Sequence, residues 1–526
     1  MKLVNRFGGL WDACARWMDA RAPVCLLLCG WVYLVATCIR AQNRLFWYDE
    51  LLTVNLCALP RFADVWTGVR AGIDLNPPLQ YVAVRASQAL FGAGHLGTRL
   101  PVVVSFLVMS LFVFLYLRRR VPAGWALAGM MLPWLTEAYR FALDARPYGI
   151  LLGCSAAALY CWSRAAETDR GRGAALAGLT VSVSLALLTH CYAVLLAIPL
   201  AAGELARFHR SRRADWPVWT ALALAALPVA IYPALASVSG PAVGRGSQFH
   251  VNLWTAPGAY RELLEPAFWP LLCLAMLIAA AVPGNDEKRG DSVPRHELAA
   301  LAGFVSIPIF AVLLGAATTG SFSLRYGSPG VIGIACLIAW AGARGSRHAA
   351  RAGAVAGVAC FLFFAGGFVA EVQAALRASV AQAAAAPAAT VPAAPRINVP
   401  AHSLLSLASA NSLPVVIGSG LVFLEVEHYG GEALLRRTYY LVDRDVAMRR
   451  TASAGFEAAL PLMKRMLHLR ANVEPLNTFL EQRPQFLLYS RGYCWVLPEL
   501  LDRDWRMRLL AKEGIDELAE VTAPDR

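Results

Sequence analysis

Charge is scarce in this sequence: 16% of its 526 residues are Asp, Glu, Lys or Arg, against 58% hydrophobic, with a mean hydropathy of +0.50. One soluble core cannot hide that much apolar surface, so lipid is the main solvent and a soluble enzyme is excluded. Paired metal ligands are lacking as well. The twelve cysteines fall mostly within apolar runs (Cys25, Cys29, Cys154, Cys161, Cys273, Cys336, Cys360), with no CxxC pair and no ligand-spaced His, which argues against a disulfide framework or a zinc site and for inert, buried thiols. No internal repeat is found, so the paired half-structures of many transporters have no support. No convincing cleavage site follows the apolar stretch 23–41, which therefore reads as an uncleaved signal anchor.

What is present is a series of apolar runs long enough to cross a bilayer, near 23–41, 98–117, 123–141, 147–163, 174–190, 192–206, 217–235, 266–283, 297–317, 328–343 and 352–371. The run 77–91 reaches only about 22 Å as a helix, short of the roughly 30 Å hydrocarbon core, and reads as interfacial. Charge tests this count of eleven. With the N-terminus cytoplasmic, Arg118–Arg120, then Arg164, Arg170 and Arg172, then Arg207, Arg210, Arg212 and Arg213, then Lys288, Arg289 and Arg295, then Arg344, Arg347 and Arg351 all fall inside. The formal charge of +13 is therefore topology and not a nucleic-acid footprint. Ahead of the first span, Phe7, Leu10, Trp11, Cys14, Trp17 and Met18 recur at helical spacing beside Arg6, Arg16 and Arg21, as in a helix lying on the cytoplasmic leaflet.

The expected architecture is an α-helical polytopic inner-membrane protein: a membrane domain over 1–372 with a long first outer loop (42–97), an Ala/Pro-rich linker over 373–400, and a small α/β domain outside the membrane over 401–526. In that last domain 415–418, 438–442 and 485–490 read as strands, and 454–470 and 496–512 carry helical apolar spacing.

Four groups of polar residues fall on the outer face of this topology. In FWYDELL, Asp49 and Glu50 follow the first span, and Phe46, Trp47 and Tyr48 suit an aromatic belt at headgroup depth; the plain alternative is that Asp49 caps an interfacial helix. In the turn LDARPYG, Asp144, Arg146 and Tyr148 stand together, and the two charges would satisfy one another as a simple ion pair. His190 and Tyr192 lie at a third helix end, and Arg325 and Tyr326 precede a later span, where an arginine readily snorkels to the headgroups. Convergence on one face raises all four above their separate readings, because ionisable groups at span ends are costly to keep there without a use.

These motifs, in order, are similar to those of a known family: DE after the first span, DLNPPLQYVAVRASQALFGAGHLGTRLP, DARPYGILL, LTHCYAVLL and LRYGSPG resemble the GT-C glycosyltransferases of the protein O-mannosyltransferase and lipid A aminoarabinose or galacturonic acid transferase type, over roughly residues 20–345. The resemblance implies a GT-C fold, a polyprenyl-phosphate sugar donor used on the periplasmic face, a lipid, glycan or protein acceptor, and no nucleotide-sugar-binding domain. It places the first-loop catalytic carboxylate at Asp49 and the acidic position before A-R-P-Y at Asp144. Catalytic candidates are thus Asp49, Glu50 and Asp144; substrate-binding candidates are Arg146, Tyr148, His190, Arg325 and Tyr326. No complete metal-ligand set is visible, and a divalent cation bridging carboxylate and phosphate is the one cofactor the chemistry leaves room for. The rival reading, a flippase for a lipid-linked sugar, calls for ionisable groups near the bilayer middle, whereas these gather at one face. The topology is directly testable: a periplasm-active reporter fused after residue 400 should be active and one fused after Arg213 silent, and the reverse pattern would remove the eleven-span arrangement.

Overall fold

The computed structural model describes residues 2–167, 170–235, 251–252, 254–281, 293–318, 320, 322–346, 348–385, 403–409, 411–451, 454–492 and 494–524. Two compact units divide the chain: Met1–Arg44, Asn76–Tyr232 and Val251–Ala386 form the first, and Leu45–Leu75, Pro233–His250 and Pro387–Arg526 the second. The expected basic residues Lys288 and Arg289, and the linker from 386 onward, lie outside the described residues.

The first unit is helical, and each of the eleven expected crossing segments contains helix. Six helices among the described residues are long and apolar enough to cross a membrane: Ala22–Asn43, His95–Arg118, Cys191–Ser211, Trp216–Leu235, Arg295–Thr318 and Ala349–Arg377. Ala123–Leu135, Arg172–Leu187 and Gly330–Gly345 are apolar but shorter. The expected run 123–141 is cut short for a visible reason. Pro133 removes a backbone donor and forces the four residues Leu132–Leu135 into a 3₁₀ turn, after which the Thr136 hydroxyl accepts from the Ala138 amide and starts a new turn, Glu137–Ala142. At the other extreme, the helix begun at Ala349 runs on to Ala385, past the expected boundary at 372.

The arginine clusters gather at one end of this bundle, where they also join helix ends. Asp19 accepts from the Ala123 amide (2.8 Å) and pairs with Arg118 (3.2 Å). Arg119 and Arg120 both bind Glu167, and Arg120 reaches the fully buried Glu297 at 2.9 Å. Asp215 takes Arg172 (2.5 Å) and Arg207 (2.9 Å), and Arg207 also pairs with the buried Glu204 (2.6 Å). Asp12 on the N-terminal helix Lys2–Ala20 binds Arg351 at 2.6 Å. At this same end two helices approach through small residues: a Cβ on Gly124 would strike the backbone of Gly353, which lets the helices holding them pack backbone to backbone.

The second unit is built on a six-stranded sheet of β1 (Val415–Ile417), β2 (Thr438–Val442), β3 (Asn472–Pro475), β4 (Gln485–Arg491), β5 (Arg506–Glu513) and β6 (Asp516–Thr522), in the order β3-β2-β1-β4-β6-β5. The first four are parallel; β6 runs antiparallel to β4, and β5 to β6. Val416, Leu441, Phe479, Phe486, Leu488 and Val521 fill one face. The expected helix 496–512 is corrected: it ends at Asp502, and Arg506–Glu513 pairs with β6 as the sheet edge, its arginines and lysine turned to solvent as edge strands require. The order 3-2-1-4 is that of half a dinucleotide-binding sheet, whose ligand crevice lies beyond the carboxyl ends of β1 and β4. Here that place is filled. A Cβ on Gly418 would come within 2.7 Å of Cys494 Sγ, and one on Gly420 would strike the Phe456 ring.

Glu457 is buried in this unit, its Oε1 accepting from Tyr440 Oη and Trp495 Nε1, each at 2.8 Å. Burial raises its pKa above the ordinary glutamate value, and the two hydrogen bonds only partly oppose that. A raised folded-state pKa means a contribution to stability that is fully present below the unfolded pKa and lost as pH rises through the folded one. Glu457→Gln keeps an oxygen for both donors and carries no charge. It should raise the unfolding temperature of this unit by a few degrees at pH 8 and by distinctly less at pH 4; an equal effect at both would contradict the burial cost.

Candidate active site

In the first unit the structure brings together three stretches far apart in sequence. Tyr148, at the start of the helix Tyr148–Glu167, meets His190 edge-on at 5.3 Å between ring centroids. His190 lies 5.6 Å from Tyr326, and Tyr326 stacks on Tyr192 at 4.3 Å with the planes 12° apart. The Arg325 guanidinium lies 5.7 Å from the Tyr148 centroid and 5.6 Å from that of Tyr326. A cation is thus held against tyrosine faces, whose quadrupoles favour it. His190 has a defined role in the geometry: its Nδ1 accepts from the Tyr192 amide at 3.1 Å, capping the turn Cys191–Leu196. With Nδ1 accepting, Nε2 is the ring nitrogen placed to donate.

The acidic turn beside this cluster is also built from remote parts. Asp144, 2% exposed, pairs with Arg44 Nη1 at 2.8 Å and Arg140 Nε at 3.4 Å. Arg146, also buried, donates its backbone N–H to the Asp144 carbonyl at 2.6 Å. The PPLQY motif explains itself here. Two prolines open the helix Leu79–Phe91, the Leu79 amide donates to Leu188 O and Gln80 Nε2 to Ala145 O, each at 3.0 Å, so one helix start ties the His190 turn to the Asp144 turn.

Arg44, Arg140 and Gln80 are contributions that the sequence reading missed. Behind Arg44 stands Arg99, fully buried in an apolar helix; its Nη1 donates to Ala41 O (2.7 Å) and Arg44 O (2.5 Å). An arginine at the second position of the expected run 98–117 was the available signal. Arg44 and Arg140 also line a cavity of about 690 Å³ with Arg40, Glu137, Glu371 and the aromatic wall of Trp134, Tyr139 and Phe364. Within it Arg40 binds Glu371 at 2.6 Å and donates to Tyr139 Oη at 3.0 Å.

Asp49 and Glu50 belong to the second unit, in the first turn of the helix Tyr48–Cys57, and both are buried. The capping alternative falls on the other carboxylate from the one expected: Glu50 Oε2 accepts from the Trp47 amide at 3.3 Å, while Asp49 sits one position earlier. Two of the three rings expected in an aromatic belt have partners in the same unit. Phe46 packs against His428 (5.8 Å) and Tyr48 against Phe456 (5.4 Å), both in the C-terminal domain. Among the described residues no three His, Cys, Asp or Glu side chains come together as a metal site.

Residues 76–234 match the family model of dolichyl-phosphate-mannose-protein mannosyltransferases. No curated protein is significantly similar in sequence. In fold, the chain is similar to ArnT from Cupriavidus metallidurans in two crystal structures. With ArnT bound to undecaprenyl phosphate the TM-score is 0.55 at 14% identity, covering 94% of this chain and 97% of ArnT. With the apo state it is 0.56 at 14% identity, covering 95% and 98%. The expected GT-C fold is thereby borne out, and the family match falls on the stretch that holds the PPLQY, Asp144 and His190 motifs.

The Asp144 pairing predicts a specific pattern in detergent. Arg44→Met leaves a buried carboxylate under-compensated and should destabilise the membrane unit by about 1–3 kcal/mol; adding Asp144→Asn should recover most of it. Equal loss with and without Asp144→Asn would mean that Arg44 acts through something else.

Proposed function

We propose, taking the chain as a GT-C glycosyltransferase, that it moves a sugar from a polyprenyl-phosphate donor to a lipid, glycan or protein hydroxyl on the periplasmic face of the inner membrane, with inversion at C1. The observation that carries this reading is the meeting of Tyr148, His190, Arg325 and Tyr326 beside the Asp144 turn: a cation and donors prepared for an anionic leaving group, drawn from the turns that the family motifs single out.

The chemistry needs little more. A glycosidase requires a second carboxyl group because an alkoxide leaves; a lipid phosphate, with a second pKa near 6, leaves as a stable anion. The acceptor oxygen attacks C1 as the bond from C1 to the phosphate oxygen breaks, the electron pair departs with the polyprenyl phosphate, and the hydroxyl proton passes to Asp49. An aspartate with a pKa near 3.9 is too weak to ionise an alcohol beforehand, so transfer comes late, as the new bond forms. Arg325 balances the charge of the leaving phosphate, Arg146 assists, and His190 contributes its Nε2–H. Asp144, locked between Arg44 and Arg140, holds the turn that carries Arg146 and Tyr148. Glu50 holds the start of Asp49's helix. A divalent cation, were one bound, would be held by Asp49 and would supply charge to offset the phosphate; no step depends on it.

Asp49→Asn retains shape and, because Glu50 and not Asp49 caps the helix, leaves the cap intact. Turnover should fall about 10²- to 10⁴-fold while donor binding persists. Arg325→Ala should cost about 2–4 kcal/mol of transition-state stabilisation, and Arg325→Lys should recover part by restoring charge without the planar fork. Near-normal transfer by Asp49→Asn, with loss in Asp144→Asn, would invert the assignment of the base.

A further inference from the structure

The helix that bears Asp49 is attached to the C-terminal domain at three places, all within the second unit. Just ahead of it, the Phe46 amide donates to Tyr429 Oη at 2.6 Å, and the Phe46 ring lies on His428; both partners end the helix Gly420–Tyr429. At its first residue, the Tyr48 ring meets Phe456 edge-on, 67° between planes, at the start of the helix Gly455–Leu467. Phe456 is itself wedged on the bare backbone of Gly420, where no side chain would fit beside it, so the ring offers a fixed surface. In the next helix, Phe62–Arg70, Gly68 brings the backbone close to Leu56 of Asp49's helix and to Met466, near the end of the Gly455–Leu467 helix.

We infer that Tyr429, His428 and Phe456 are positioning residues for Asp49: the C-terminal domain is the mount of the catalytic carboxylate and sets the turnover rate, whatever part it takes in holding an acceptor. The physical ground is the local balance of freedom. A ten-residue helix has too few turns to be stable alone, and its orientation comes from what it packs on. Besides its own Glu50 cap, its entry is held by a hydrogen bond to a phenol and by aromatic contacts supplied from residues more than 370 positions later. A base that must meet an acceptor hydroxyl as the C1 bond forms tolerates little misplacement, so a small release at this mount reaches the chemical step before it reaches folding or donor binding.

The inference rests on Asp49 being the base, and a double-mutant cycle separates the two. Tyr429→Phe removes a single hydroxyl and keeps the ring; Phe456→Leu removes the edge-on contact. In the full-length protein, with insertion and protease resistance of the outer domain checked, each should lower kcat about tenfold and leave the donor KM within about twofold. In an Asp49→Asn background neither should lower turnover further, because what they position is already gone. Wild-type kcat in Tyr429→Phe and Phe456→Leu, alongside a large loss in Asp49→Asn, overturns the inference and leaves the base in place. A full additional loss on top of Asp49→Asn also overturns it, since the effect then bypasses the carboxylate. Wild-type turnover in Asp49→Asn removes the base and the inference together.

Discussion

The end of the helical unit that holds the Asp144 turn depends on a charge held where charge is expensive. Arg99 is fully buried, and a lone guanidinium in that setting would be intolerable. What offsets the cost is the C-terminal end of the helix Ala22–Asn43, whose last carbonyls have no partners within the helix and carry the negative end of its dipole. Arg99 takes the carbonyls of Ala41 and Arg44, and in doing so fixes the point at which the chain leaves the bundle. From that point Arg44 reaches back to Asp144, Asp144 holds the turn leading to Tyr148, and Tyr148 borders the His190 and Arg325 cluster. One arginine therefore organises a polar site through backbone carbonyls without being part of it.

The two ends of the bundle use arginine differently. At the end with the basic clusters the guanidiniums pair with carboxylates, mostly on other helices, and two of those acids, Glu204 and Glu297, are buried. Such pairs return little net stability against hydrophobic packing, yet they fix which helix ends meet. At the opposite end Arg325 rests on the faces of Tyr148 and Tyr326. Two of the candidate carboxylates also do structural work: Asp144 is held in a salt bridge within the first unit, and within the second Glu50 caps the helix that carries Asp49.

Much of this was legible in the sequence, for reasons that can be traced. Apolar runs marked helix in each of the eleven expected crossing segments, because burial in lipid selects composition over long stretches; where runs were interrupted by a proline, as at Pro133, length overstated the span. Strands β1, β2 and β4 were read correctly from β-branched and aromatic runs buried on both faces. β5 was not, since an exposed edge strand with mixed Arg, Leu and Lys shows no alternation distinct from a helix; only Gly514, with φ +60° in the turn to β6, marks the hairpin. The motif residues Tyr148, His190, Arg325 and Tyr326 were found together. Arg44, Arg140 and Gln80 were not, because their roles come from packing between remote segments. The aromatic residues Phe46 and Tyr48 were placed at the lipid surface, and their partners lie in a domain that sequence proximity does not reveal.

The central claim is chemical transfer at one face of the membrane by a chain of this fold. Its most direct test is to reconstitute the purified protein in liposomes with a polyprenyl-phosphate sugar labelled in the sugar, supply an extract of membrane lipid and envelope protein, and follow both label and free polyprenyl phosphate. The account predicts label in an acceptor fraction, with opposite anomeric configuration at C1, and one polyprenyl phosphate released per sugar moved. Label that changes leaflet while remaining on its original lipid would show a flippase and contradict it.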